Sequence, residues 1–290
     1  MNTYKIDWVA ATMPQKMTTA FTLQTYVSQA LHIWQGAWGR VRGANGYKLA
    51  LEHLETKAVV RSNGNDDMGT RIVLSGTALN ELSKTQQLTD IVQRLCTLSG
   101  KITRLDLAID VVGDARADIP RLHDLYLAEQ CSTKSKTPPT LIRSGLDGYT
   151  LYVGSRTSER FMRIYNKQAE RRANGEHVDY QWVRIELELK GERAANCAKT
   201  IAASGNNIAD VICAHIGDFI SFDEAWWKEA LTGKAIELQQ STRKLTDTET
   251  WLLEQVAPAF ARQLLKDDKF HLRFMDAVRA CAERETERQI

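Results

Sequence analysis

The sequence predicts an α+β protein: a mostly antiparallel central sheet with flanking helices, plus a helical C-terminal region. Three observations predict it. Short runs that alternate apolar and polar residues recur between Ile6 and Leu189. Hairpin signals such as Asn45-Gly46 and Gly145-Leu146-Asp147-Gly148 stand between several of them. From Ala194 onward the apolar residues follow mostly helical spacing.

Ile6 to Met13 reads as a strand stopped by Pro14, and Thr22 to Trp34 has the apolar spacing of a helix. Trp38 to Glu55 is extended, broken by Gly43 and by Asn45-Gly46. Ala58–Arg61 and Arg71–Leu74 are strands around the turn-rich stretch Ser62 to Gly69. Leu79 to Leu98 reads as one helix ending at Ser99-Gly100, and Ile102 to Val112 is the strongest strand of the first half. Ile119 to Glu129 returns to helix, with Pro120 tolerated in the first turn. Ser132 to Thr140 reads as a basic loop. Strands follow at Thr140–Arg143, Tyr149–Val153 and Phe161–Asn166, then a charged stretch, Lys167 to Val178, then a strand at Gln181–Leu189. Thr246 to Arg288 reads as two amphipathic helices with a charged tail. Strand signals have ended by residues 222–245. The expected division is therefore residues 1–224 as the sheet-bearing domain and residues 225–290 as a helical C-terminal region.

Composition bounds the function. The 290 residues carry 38 basic and 36 acidic side chains, a net charge of +2, so a DNA-binding surface must come from local placement of Lys and Arg. Five scattered cysteines without a CxxC pair fit a reducing compartment. No signal-peptide core and no membrane-length apolar run is present, so a cytoplasmic protein with no membrane partner is expected. The six histidines include no His-x-His pair, which speaks against a nickase whose metal is held by two histidines. HExxH, Walker A and GxGxxG are absent, so ATP hydrolysis is not expected.

Alternation concentrates chemistry on one face of three strands. In Ile102–Asp110, Leu105, Leu107 and Ile109 share one face while Arg104, Asp106, Ala108 and Asp110 share the other. In Val183–Lys190, Arg184, Glu186, Glu188 and Lys190 oppose Val183, Ile185, Leu187 and Leu189. Such a carboxylate patch binds Mg²⁺ or Mn²⁺ when the strands are neighbours. Asp106 and Asp110 lie about 13 Å apart on a straight strand, so one Asp with Glu186 is the better pair for an ion. The competing interpretation is a solvated charged face with ion pairs such as Arg104–Glu188. In Phe161–Lys167, Tyr165 sits between Arg163 and Lys167. Two cations would lower a phenol's pKa and make it a nucleophile for a phosphodiester. A packing tyrosine fits the same spacing, and Tyr149 and Tyr152 compete for the role. The turn Gly154-Ser155-Arg156-Thr157-Ser158 offers N–H groups, hydroxyls and a guanidinium to a phosphate, or is an ordinary hairpin loop.

An ordered set of motifs runs through residues 6 to 190: Ile6-Asp-Trp8, Val73-Leu-Ser-Gly76, Thr103–Asp110, Leu151–Ser158, Met162–Lys167 and Trp182–Glu188. In this order and spacing the chain resembles the Rep_trans family of rolling-circle replication initiators, which serve plasmids, some conjugative elements and filamentous phages. The resemblance implies a metal-dependent enzyme that nicks and rejoins one DNA strand. It implies Tyr165 as nucleophile, with Asp106 and Glu186 holding Mg²⁺ or Mn²⁺ and Asp110 or Glu188 assisting. Arg163, Lys167 and Arg184, with Arg156, would offset transition-state charge. Ser155, Arg156 and Tyr152 would contact DNA, with Tyr152 or Trp182 stacking on a base. Origin DNA, duplex and single-stranded, a host helicase, a DNA polymerase and a second copy of the chain are the partners it implies. Two rivals remain: a DNA-binding regulator without catalysis, and a metal nuclease whose nucleophile is water.

Overall fold

Side chains that alternate along a strand demand a sheet with one dry face, and the chain builds one of ten strands. The structure, a computed structural model, describes residues 2–98, 100–145, 148–204, 207–234, 236, 238, 252 and 256–287. In chain order the elements are β1 (Thr3–Met13), α1 (Ala20–Leu31), β2 (Trp38–Arg40), β3 (Leu49–His53), β4 (Val59–Ser62), β5 (Thr70–Ser75), α2 (Gly76–Ser83) and α3 (Leu88–Thr97). Next come β6 (Lys101–Val112), α4 (Ile119–Leu127), β7 (Cys131–Thr133), β8 (Thr140–Ser144), β9 (Gly148–Val153), β10 (Arg160–Asn166) and α5 (Lys167–Ala173). They are followed by β11 (Trp182–Lys190), α6 (Gly191–Ser204), α7 (Ile208–Phe219), β12 (Ile220–Phe222) and α8 (Ala225–Ala230). The sheet order is β2-β3-β4-β5-β1-β6-β11-β10-β9-β8, with every ladder antiparallel. This is the α+β architecture expected from the sequence.

Leu105, Leu107 and Ile109 of β6 lie opposite Leu189, Leu187 and Ile185 of β11, all fully buried. Helices α3, α6 and α7 pack on this part of the sheet, and α1 packs on β3 and β4. Each such Leu or Ile contributes about 1.5–3 kcal/mol by leaving water. That burial fixes the register, because a one-residue slip would turn every core residue outward.

Four local expectations change. The single helix expected over Leu79–Leu98 is two, α2 and α3. The chain closes α2 with Lys84 N–H to Glu81 O and Gln86 N–H to Leu82 O, and the Gln86 amide then bonds Leu31 O at 2.8 Å. The basic loop at Ser132 begins as a strand, since β7 pairs with the distant β12. That same β12 interrupts the helical stretch expected after Ala194. The charged stretch after Asn166 begins as a helix, α5, whose first turn is capped by the Asn166 side chain to Ala169 N–H at 2.9 Å.

The chain forms two compact units, Met1–Ser241 and Thr242–Ile290. The first continues past residue 224 through α8, whose Trp226 and Trp227 are buried. The second contains α9 (Ala257–Leu264) and α10 (Phe270–Glu287), joined by Phe260, Phe270 and Phe274. Of the helical pair expected over Thr246–Arg288, positions 246–251, 253–255 and 288 lie outside the described residues, as do Leu146 and Asp147 of the hairpin turn. Among the described residues no helix is long and apolar enough to cross a membrane.

Candidate active site

The polar face of β6, β11 and β10 is one continuous surface because the three strands are neighbours in register. Arg184 stands opposite Asp110, Glu188 opposite Asp106, Arg163 opposite Glu186, and Tyr165 opposite Arg184. The carboxylates and guanidinium groups pair closely. Arg104 holds Asp106 with two bonds of 2.8 and 2.6 Å and reaches Glu188 at 2.8 Å. Arg163 binds Glu186. Arg184 holds Asp110 at 2.6 and 3.0 Å, and Lys5 of β1 reaches the same carboxylate at 2.6 Å. The Arg104–Glu188 pair expected of a charged sheet face is thus present, beside a deeper and drier cluster.

A bulge in β1 adds a residue that alternation hides. The β1–β6 register slips between Ile6 and Trp8, so Asp7 is left unpaired with β6. Asp7 and Trp8 are adjacent in sequence, yet both line the same cleft. Asp7 accepts from Arg184 at 2.9 Å, and a Cβ on Gly76 would come within 3.0 Å of its Oδ1. Arg104 lies over the Trp8 ring at 4.8 Å. Sequence reasoning gave Lys5, Asp7, Trp8 and Glu170 no role. For Asp7 the only signal was its place in the Ile6-Asp-Trp8 motif.

The cleft has a volume of about 780 Å³. Its walls include the start of α2, with Gly76, Thr77 and Asn80, and α5, with Ala169 and Glu170. Tyr165, Asp106 and Glu186 all line it, as do Arg163, Arg184, Lys167 and Tyr152. The Tyr165 hydroxyl lies 3.4 Å from Glu186 Oε2 and 3.4 Å from Lys167 Nζ. Lys167 is itself held by both Glu170 oxygens at 2.8 and 2.9 Å.

These pairs overturn the expected phenol pKa. Burial pushes the Tyr165 phenol well above its ordinary value. Glu186, Glu170 and Asp7 push the same way, against Arg184. The flanking cations do not outweigh this rise; Arg163 and Lys167 each already face a carboxylate. Lys167 is held below its usual range by burial and by Arg184, despite Glu170. Asp106 is pushed up to about 7, first by burial and further by Glu186 and Glu188, against the pull of Arg104. Burial would also raise Asp110, but Arg184 and Lys5 hold it below the ordinary carboxylate value.

Several other candidate residues lie apart. Asp110 does not line the cleft; its oxygens are taken by Arg184 and Lys5. Ser155 and Arg156 are also outside it. The turn around them bonds internally, Ser155 Oγ lying 2.8 Å from Thr157 Oγ1 and 3.3 Å from the Thr157 N–H. Arg156 instead covers Tyr152 and Phe161, whose rings stack at 5.6 Å. Trp182 is half-buried beside Tyr180, with Arg171 and Arg184 near its ring. Tyr149 lines the cleft with Tyr152.

The donor set can be tested against a divalent cation. Asp106 and Glu186 offer hard carboxylate oxygens, and burial with the neighbouring Glu186 and Glu188 makes a negative charge on Asp106 costly unless a cation offsets it. Mg²⁺ commonly takes one or two carboxylates, keeps several waters and binds substrate phosphate. This pair fits that pattern once Arg104 and Arg163 yield their oxygens. Among the described residues no group of three or more His, Cys, Asp or Glu side chains could hold an ion, so a cage built from protein alone does not fit.

Comparison with known proteins agrees with this fold. The solved rolling circle replication initiator protein from Geobacillus stearothermophilus superposes with a TM-score of 0.65 at 21% identity, covering 82% of this chain and 93% of that one. Replication initiation proteins of Staphylococcus aureus are 42% and 41% identical over 93 residues, which is 30% of this chain. The matched stretch spans 26% of those relatives' own length. Residues 100–275, more than half of the sequence and including β6, β10 and β11, match the replication initiation factor family, Rep_trans, and the chain belongs to that family.

Proposed function

We propose that this protein initiates rolling-circle replication by cutting one strand of origin DNA with Tyr165. The observation that carries the reading is convergence: a phenol, an aspartate and a glutamate from three strands line one cleft, with the phenol 3.4 Å from the glutamate. The phenol oxygen attacks the scissile phosphorus. A tyrosine–phosphorus bond forms, the bond to the 3′ oxygen breaks, and that oxygen takes up a proton from water to become the 3′-OH primer. The count of phosphoester bonds is unchanged, so the step reverses to join strands without ATP. Glu186 Oε2 is an acceptor within reach for the phenol proton. A Mg²⁺ or Mn²⁺ held by Asp106 and Glu186 would supply Lewis-acid polarisation of the phosphate.

The chain's own cations do the rest. Arg163 and Arg104 exchange carboxylate oxygens for phosphate oxygens as substrate enters. Arg184, clamped by Asp110 and Asp7, offers fixed positive charge beside the phenol. Asp110 acts by orienting Arg184, and Tyr152 offers a ring face to a base next to the cut.

The test is incubation of the protein with an origin oligonucleotide and Mn²⁺, followed by boiling in detergent. An adduct that survives, and that disappears in Tyr165→Phe, supports the reading. Cleavage without an adduct would instead make water the nucleophile.

A further inference from the structure

The polar face that carries the cleft continues across β1, β5 and β4, and there its charges are arranged differently. Arg61 of β4 stands directly opposite Arg71 of β5. Thr12 of β1 is the next residue across, and Lys101 of β6 stands opposite Thr12. Lys48, two residues before the Ala50 that pairs with Arg61, is exposed. Like charges directly opposite each other destabilise a sheet. Arg61 and Arg71 nonetheless face each other with no carboxylate paired to either among the described residues, and the Nε of each is buried without a hydrogen-bond partner. Burial and Arg71 hold Arg61 below its ordinary value.

A guanidinium with a buried, unused donor beside a second one is matched by an oxyanion. The row starts close to the cleft: Thr12 is four residues along β1 from Trp8, about 13 Å at ~3.3 Å per residue.

We propose that Arg61 and Arg71, flanked by Lys48 and Lys101, bind backbone phosphates of the DNA whose scissile bond lies in the cleft. This inference rests on the strand-cutting function argued above and adds a contact region to it. The row carries no information about base sequence. It sets where the strand lies and how strongly salt opposes binding.

The test is fluorescence anisotropy with labelled duplex and labelled single-stranded oligonucleotides over a salt series. Each phosphate contact adds about 0.9 to the slope of log K against log salt for duplex, and about 0.7 for single strands. The double variant Arg61→Gln/Arg71→Gln should therefore flatten the slope by about 1.8 if the row holds duplex, or about 1.4 if it holds a single strand. Near 0.1 M salt its affinity should fall on the order of tenfold per arginine. Arg61→Lys/Arg71→Lys should restore most of the slope. Lys84→Gln, which removes an exposed lysine paired with Glu81, should leave it alone. An unchanged slope in a folded double variant overturns the proposal, as does an equal loss in Lys84→Gln. Failure of the cutting function would be visible separately: Tyr165→Phe would still form the adduct, while the salt slopes would read the arginine row independently.

Discussion

The two halves of the sheet share one polar face and use it in opposite ways. On β6, β10 and β11, Arg104, Arg163 and Arg184 each grip a buried carboxylate. On β4 and β5, Arg61 and Arg71 face one another and grip nothing among the described residues. The first arrangement fixes positions: a guanidinium held at both ends cannot drift, and the tyrosine beside it inherits that order. The second leaves the buried Nε of each guanidinium without a partner, a donor that the proposed phosphate contact would take up. The proposed chemistry and the proposed phosphate contacts thus lie on separate parts of one surface.

The largest effect expected is at the ordered half. Tyr165→Phe removes one oxygen and leaves the ring in place. Adduct formation should fall by at least about 10³-fold, the scale for losing a nucleophile, while thermal stability and DNA affinity change little. A variant that kept its adduct would remove Tyr165 from the chemistry, and with it the role assigned to the ordered charges around it.

Next in size is Arg184→Ala. It strands Asp110, which is 2% exposed, with Lys5 as its remaining cation, and frees Asp7. Breaking a buried pair in this way costs about 3–5 kcal/mol, measurable by urea denaturation. The pH dependence has a definite sign. Asp110 is depressed in the folded protein, so its contribution is fully present above the ordinary carboxylate pKa of about 3.9 and is lost as pH falls through the folded value. The variant should therefore lose less stability on acidification than the parent protein.

How much of this was legible in the sequence follows the same division. Alternation alone placed Asp106, Glu186 and Tyr165 on polar faces, because β6, β11 and β10 pair with one another in unbroken register. It missed Asp7, since a bulge is a property of two strands in register and leaves no mark on one of them. It also misjudged the Tyr165 pKa. Spacing revealed the cations at 163 and 167, but the opposing carboxylates arrive from β11, α5 and β1. The strand β7 was hidden because its partner, β12, lies some ninety residues along the chain, whereas α5 went unread although Asn166 stands as a cap before Lys-Gln-Ala-Glu-Arg-Arg. The Arg61–Arg71 pair needed a cross-strand register that no local pattern supplies.

A smaller effect is expected at Asp106. Its folded pKa of about 7 lies above the ordinary value, so its contribution is fully present below about pH 3.9 and is lost as pH rises through 7. Asp106→Asn should abolish that loss. The variant should gain on the order of 1–3 kcal/mol over the parent at pH 8, and much less at pH 4. Arg104 keeps Glu188 at 2.8 Å, so it is not stranded. The same variant should lose Mn²⁺ binding. In the parent, Mn²⁺ affinity should weaken by about tenfold per pH unit below 7, because a proton must leave before the ion binds. Calorimetric titration at several pH values reads both.

The smallest effect tests the second half of the sheet and carries the opposite sign from Arg184→Ala. If Arg61 and Arg71 await a ligand, their juxtaposition is a cost in the free protein. Arg61→Gln should relieve the cross-strand repulsion and raise stability by about 0.2–1 kcal/mol, most clearly at low ionic strength. Added salt should shrink the difference, since it screens the repulsion in the parent. A loss of stability instead would mean that the two guanidinium groups stack to hold β4 against β5. The unpaired half of the face would then be architecture, built like the paired half to fix positions rather than to receive a strand.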